Sequence, residues 1–179
     1  DLTKAGAAEL TLSGVNTFSG ATVVDAGTLT LSGGSALANS MAVTVNASGT
    51  LKLASSEEIA TLAGAGSVNL QGNALTLSGS GNTVYSGVMS GAGGSLVKSG
   101  SGVMTLSGTN TFTGGASVSA GTVLVGNNAA FGAGTVTFSG GKISSDGAAG
   151  RTLANALGLS GSLALGDGTN NGALTFSGA

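Results

Sequence analysis

Leu10-Thr11-Leu12-Ser13-Gly14 is the phrase on which the fold turns, because it comes back. It returns as Leu29-Thr30-Leu31-Ser32-Gly33, as Leu75-Thr76-Leu77-Ser78-Gly79 and as Met104-Thr105-Leu106-Ser107-Gly108. Looser copies stand at Val136-Thr137-Phe138-Ser139-Gly140 and Leu174-Thr175-Phe176-Ser177-Gly178. In each copy an apolar residue, a threonine and a second apolar residue alternate, the two-residue period of a strand with one buried face. Ser-Gly then breaks the strand. The interval from Leu10 to Leu29 separates the first two copies, and twice that interval, from Val136 to Leu174, separates the last two.

A longer repeat lies over the short one. Leu2 to Gly27 aligns without a gap on Leu96 to Gly121, at a constant offset of 94. Lys4 falls on Lys98, Gly6 on Gly100, Asn16-Thr17-Phe18 on Asn110-Thr111-Phe112, and Gly27 on Gly121. About half of the aligned positions are identical, and a fixed long period of this kind marks a repeat architecture. The offset is close to five of the short intervals, which predicts five coils between the two copies.

Short strands at this interval must bury one face against something. A hairpin array calls for Asn-Gly or Asp-Gly turns after each strand. A solenoid stacks each coil on the one before, with strands in parallel and like side chains in columns. The expected fold is therefore all-β: a parallel β-helix, or β-solenoid, of about nine short coils, a rod near 43 Å long at ~4.8 Å per coil. Residues 1–179 form one solenoid segment, with long-repeat copies at 2–31 and 96–125. The expected inward column is Leu12, Leu31, Leu77, Leu106, Phe138 and Phe176. Thr11, Thr30, Thr76, Thr105, Thr137 and Thr175 are expected to face water. Ser55 to Ala63 has the Ser55/Glu58 spacing of a capping box, but Gly64 and Gly66 follow at once and a strand is expected there.

Composition agrees. The chain has 179 residues, 35 of them glycine, with no proline, cysteine, histidine or tryptophan, and 7% charged residues. Ordinary domains carry about 25% charged residues. Disorder goes with low hydropathy and high net charge, whereas the mean hydropathy here is +0.42 and the net charge −2. Proline is excluded wherever nearly every strand amide must donate to a neighbouring coil. Lys4, Lys52, Lys98, Lys142 and Arg151 are scattered, so no basic patch for nucleic acid is expected. No apolar window of ~20 residues offers a transmembrane helix, so no direct membrane insertion is expected. Both termini fall inside the repeat pattern and no basic-then-apolar leader opens the chain, so the expectation is a piece of a longer protein.

Catalytic and metal sites are not expected. Without histidine or cysteine the Ser-His-Asp and Cys-His arrangements are excluded, and no complete Gly-x-Gly-x-x-Gly or Walker motif occurs. Paired carboxylates serve glycosidases, but Asp1, Glu9, Asp25, Glu57, Glu58, Asp146 and Asp167 are spread along the chain. Glu57 and Glu58 are expected in a solvated loop, pointing apart if on a strand. Asp167-Gly168-Thr169-Asn170-Asn171-Gly172 looks like a calcium turn without the further acidic ligands of an EF-hand loop, and is expected to be a plain corner. Asn16 and Asn110 are expected to bond to each other and to backbone as stacked corner asparagines, and Phe18 and Phe112 to fill core or plug a corner. Thr-x-Thr pairs would suit an ice-binding face only on consecutive coils, and most strands carry one threonine. No cofactor is expected.

The stretch Leu96 to Gly115, followed by Ala120-Gly121-Thr122-Val123, resembles the autotransporter-associated β-strand repeat, and Leu2 to Leu31 resembles a second copy. Ile59 to Gly94 and Arg151 to Gly178 resemble the stretches between such repeats. The resemblance implies a right-handed β-helical passenger of a Gram-negative cell-surface or secreted protein, exported across the outer membrane through a β-barrel of the same polypeptide. It implies a structural stalk that supports secretion and display. An adhesive or self-associating module, by stacking on a second copy, is the alternative, and a polysaccharide-active β-helix enzyme a third.

Overall fold

The computed structural model describes residues 1–178. None of these is helical, and the chain winds as a β-solenoid of nine coils. Coil one carries β1 (Leu2–Lys4) and β2 (Glu9–Leu12). Coil two is β3 (Thr22–Leu31), a single long strand bent across two faces. Coil three carries the equally bent β4 (Ala42–Leu53) and β5 (Glu57–Ile59). Coil four has β6 (Thr61–Gly64), β7 (Ser67–Asn69) and β8 (Ala74–Leu77). Coil five has β9 (Thr83–Tyr85), β10 (Met89–Ser90) and β11 (Ser95–Lys98). Coil six has β12 (Val103–Leu106) and β13 (Ala116–Val118), and coil seven β14 (Thr122–Val125) and β15 (Val136–Phe138). Coil eight has β16 (Lys142–Ser145), β17 (Arg151–Leu153) and β18 (Leu157–Leu159), and coil nine β19 (Ala164–Leu165) and β20 (Leu174–Phe176).

Every strand pair is parallel and joins one coil to the next. The first face runs β1, the first half of β3, the first half of β4, β6, β9, β12, β14, β16 and β19. The second holds β2, the later halves of β3 and β4, β7 and β10, and at the far end β17 and β20. The third runs β5, β8, β11, β13, β15 and β18. Leu2 pairs with Thr22, Thr22 with Val43 and Val43 with Leu62, so successive coils differ in length. On average they are longer than the interval from Leu10 to Leu29, because the corners take up differing numbers of residues.

The side-chain columns follow from this register. On the first face Val24, Val45, Gly64, Tyr85, Leu106 and Val125 stack inward. Tyr85 is fully buried. Its ring lies beside the side-chain-free Gly64, and its hydroxyl donates to the Gly66 carbonyl at 2.8 Å. On the third face Ile59, Leu77, Lys98, Val118 and Phe138 form one inward column, and Glu57, Leu75, Leu96, Ala116 and Val136 the other.

Leu12, Leu31, Leu77, Leu106, Phe138 and Phe176 therefore do not make one column. Leu12 stacks on Leu31 on the second face, Leu77 and Phe138 share a column on the third, Leu106 is on the first, and Phe176 pairs with Leu153 at the far end. The physical reason is that each face needs the same in-out-in strand, so the Leu-Thr-Leu phrase marks a strand and not a particular face. Leu31, Leu77, Leu106 and Phe138 are buried, whereas Leu12 and Phe176, in the end coils, are only partly covered. Of the outward threonines, Thr11 and Thr175 are exposed and Thr76, Thr105 and Thr137 half-buried by their row neighbours. Thr30 departs from expectation: its hydroxyl donates to Glu9 Oε1 at 2.5 Å and only 5% of the residue is exposed.

The spacing of the long repeat also differs from five coils. Leu2–Lys4 lies on the first face, and its counterpart Leu96–Lys98 on the third. The step from one copy to the other thus spans four coils and two further faces. Local pairing is nonetheless the same in both copies: Leu2 faces Thr22 as Leu96 faces Ala116, and Leu10 faces Leu29 as Met104 faces Val123. Each copy is one unit of two stacked coil segments, turned by one face relative to the other.

Candidate functional site

The residues peculiar to the long repeat gather at equivalent corners. Lys4 and Lys98 close the first strand of each copy, and both turn inward, with 6% and 4% exposure. Lys4 is paired in register with Val24, and Lys98 lies between Leu77 and Val118. Nζ of Lys4 donates to the carbonyls of Ala5 at 3.0 Å, Gly6 at 2.7 Å and Ala26 at 2.9 Å, the last in the following coil. Nζ of Lys98 donates to the carbonyl of Gly100, the counterpart of Gly6. Neither lysine meets a carboxylate; the ion pairs among the described residues are Lys52–Glu9 at 3.5 Å and Arg151–Asp146 at 2.8 Å. Burial pushes the Lys98 ammonium below the ordinary lysine range, as expected of a cation moved out of water without a counter-ion.

Gly27 and Gly121 complete these corners from the next coil. Their φ angles are +69° and +73°, a region that a side chain disfavours. A Cβ on Gly121 would lie 2.5 Å from the Gly102 carbonyl and 2.5 Å from Lys98 Nζ, and one on Gly27 2.7 Å from the Ala8 carbonyl. The glycine lets the coil descend onto the lysine and its carbonyls.

The asparagines hold the third segment of each copy. Nδ2 of Asn16 donates to the Gly14 and Ala36 carbonyls, and Nδ2 of Asn110 to Ala130, the counterpart of Ala36. Oδ1 of Asn110 also accepts the Met89 amide from the preceding coil, so one buried side chain spans three coils. Asn16 and Asn110 do not stack on each other, because the change of face places them on different sides of the rod. Phe112 is completely buried, and Phe18 half-buried against the core of the end coils.

The carboxylates that make hydrogen bonds do so with different partners. Glu9 is bound to Thr30 and Lys52, which hold its carboxyl below the usual range. Asp25 accepts from Asn46, and Asp146 from Arg151. Asp167 accepts the amides of Asn170 and Thr169 within its own turn, which hold it well below the ordinary range. Among the described residues no three acidic, histidine or cysteine side chains gather as metal ligands would.

Glu57 corrects the sequence reading. It lies on β5, not in a solvated loop, and is 3% exposed. Its carboxylate accepts the amides of Leu37 at 2.7 Å and Ala36 at 3.2 Å. Glu58 points the other way and is half-exposed. Two backbone donors that a corner leaves unpaired thus recruit a carboxylate into the core. The signal was in the parity: Ile59 faces inward, and a residue two positions earlier on one strand faces the same way.

The passenger-associated-transport-repeat family matches residues 2–31 and 96–125, the two units whose corners are described above. These two segments are similar to passenger-associated-transport-repeats. Two such matches on a β-solenoid are consistent with an autotransporter passenger with repeats. No curated protein and no solved structure matches the chain. Within each repeat Lys4/Lys98 and Asn16/Asn110 donate to backbone carbonyls, and Gly27/Gly121 pack over the lysine corners.

Proposed function

We propose that this segment is a structural stalk of an autotransporter passenger, which supports secretion and displays other parts of the protein at the bacterial cell surface or outside the cell. The observation that supports this most is the continuity of the rod: inward columns run from the first coil to the last, with the two repeats built into them. Each coil pairs only with its neighbours in sequence, so an incoming coil finds a preformed edge and a slice of core. Folding outside a pore can proceed coil upon coil and draw the chain outward. Sparse charge and the lack of cysteine leave little to hold back an unfolded chain in transit. The partner this implies is an outer-membrane β-barrel of the same polypeptide. No catalytic role is assigned, and the separate partners of Glu9, Asp25, Glu57, Asp146 and Asp167 support that.

The test is display. The segment is placed between an epitope tag and a generic autotransporter barrel in a Gram-negative host, and surface exposure of the tag is followed by protease accessibility. Tag exposure should fall when Leu106→Asp prevents the sixth coil from packing. Equal exposure with the variant, or with the segment deleted, would overturn the stalk reading. Turnover of a polysaccharide that disappears on mutating Asp25, Asp146 or Asp167 would overturn the non-enzymatic assignment.

A further inference from the structure

A solenoid built of near-identical phrases faces a problem of register. A strand that slips by two residues against its neighbour keeps its apolar side inward and its threonines outward, so the hydrophobic effect hardly opposes the error. Around Lys98 the inward neighbours are apolar, Leu77 and Val118 in its own column and Leu75, Leu96 and Ala116 in the adjacent one, so a shift by two still sets apolar side chains against each other. The lysine is not so tolerant. Its ammonium is buried with no carboxylate, and the carbonyl of Gly100 at the repeat corner satisfies it. The same holds for Lys4, whose three carbonyl partners belong to two successive coils. Gly27 and Gly121 make that corner at a single position in each copy, because no side chain fits beside those carbonyls.

We infer that Lys4 and Lys98 are register pins of the two repeats: positioning residues that fix which residue of one coil lies against which residue of the next. In the native register Lys98 reaches the carbonyl of Gly100 while Gly121 packs over it. A slip by two residues moves Gly121 off the corner and brings a side chain against the ammonium. At Lys4 the slip also takes away the Ala26 carbonyl of the following coil, and at Lys98 it sets a side chain where only Gly121 leaves room for the ammonium, so the mis-registered coil crowds or strips a buried cation, an error too costly to persist. The apolar residues of the core supply adhesion, and the lysine supplies discrimination between registers. This role is independent of what the rod displays.

The absence of cysteine allows a direct test. Val97 and Ser117 are partners across the β11–β13 ladder, at a separation that a disulfide can bridge. A Val97→Cys/Ser117→Cys chain reports the native register, and Val97→Cys/Ser119→Cys the register slipped by two. Each pair is refolded from denaturant under reducing conditions and then oxidised, with and without Lys98→Met. With the lysine, the native pair should close and the slipped pair scarcely. With methionine, the slipped pair should rise severalfold at the expense of the native one. An unchanged ratio would overturn the inference. The other repeat is checked by Thr3→Cys/Val23→Cys with Lys4→Met, since Thr3 and Val23 are also partners. If both methionine variants fail to fold at all, the lysines carry stability and not register, and the inference falls.

Discussion

The carboxylate of Glu57 accepts the backbone N–H of Leu37 at 2.7 Å, from inside the core. With the Ala36 amide at 3.2 Å it satisfies two consecutive donors of the coil below. Glu57→Ala strands both, at a cost of about 1–3 kcal/mol for each buried donor left without a partner. A drop in the denaturation midpoint with unchanged denaturant dependence checks this; an unchanged midpoint contradicts it.

The same residue predicts a pH dependence. Burial raises the Glu57 carboxyl above 4.5, and the two amides only partly offset it. The folded state therefore holds this proton more tightly than the unfolded chain. The contribution is fully present below about 4.5 and is lost as pH rises through the folded value. Relative to Glu57→Gln, the wild-type chain should lose stability across that window and run parallel to the variant at higher pH. Parallel curves throughout would show that the carboxyl does not titrate from a buried state.

Strand positions and the solenoid were legible in the sequence because Leu-Thr-Leu alternation is a local signal. The face on which each phrase lands was not, since it depends on corner lengths summed along the rod. The unequal steps from Leu2 to Thr22, Val43 and Leu62 show how those lengths vary, and their sum carries the second repeat one face out of phase. Lys98 and Glu57 were hidden for another reason: a charged residue on a short strand is ordinarily placed outside. Alternation alone points both inward, Lys98 two positions from Leu96 and Glu57 two from Ile59. What overrides the usual preference is the set of unpaired backbone groups at the corners, which the sequence does not display.

The two positive-φ glycines of the first repeat offer a matched comparison. Gly6 and Gly27 have φ of +76° and +69°, but a Cβ on Gly6 meets nothing within 4 Å, while one on Gly27 runs into backbone carbonyls. Gly6→Ala should cost only the conformational penalty, about 1–2 kcal/mol. Gly27→Ala should cost clearly more, because the chain must also move apart. Equal melting temperatures for the two variants would show that the corner is not closely packed.

Leu106 and Thr105 are adjacent on β12 and face opposite ways. Leu106 is fully buried between Tyr85 and Val125, whereas Thr105 is half-buried between Val84 and Leu124. Leu106→Ala should cost about 2–5 kcal/mol, and Leu106→Asp should prevent the coil from packing. Thr105→Ser should change stability by well under about 1 kcal/mol, as surface substitutions do. Thermal melts that rank Thr105→Ser with Leu106→Ala would reverse the assignment of inside and outside.

The last prediction concerns association. Leu157, Leu159 and Leu165 occupy inward columns, in register with Val136, Phe138 and Ile143, yet they are 38%, 60% and 73% exposed. They line an open apolar mouth together with Leu163, Leu174 and Phe176. Among the described residues, β18, β19 and β20 have partners on one side only, as do β1 and β2 at the opposite end. An open parallel edge is a template for another strand, and the two ends of a parallel rod differ in the way that lets one stack on the other. Such a contact is head to tail and does not close on itself, so it builds chains of molecules instead of a fixed dimer. This segment should therefore associate with rising concentration in sedimentation velocity, without a single limiting size. Leu159→Lys with Leu165→Lys places charge on the exposed slice of core and should leave the internal coils folded while shifting the chain towards monomer. If the double variant associates as strongly as the unmodified chain, the contact lies elsewhere, and a lateral sheet face becomes the surface to mutate.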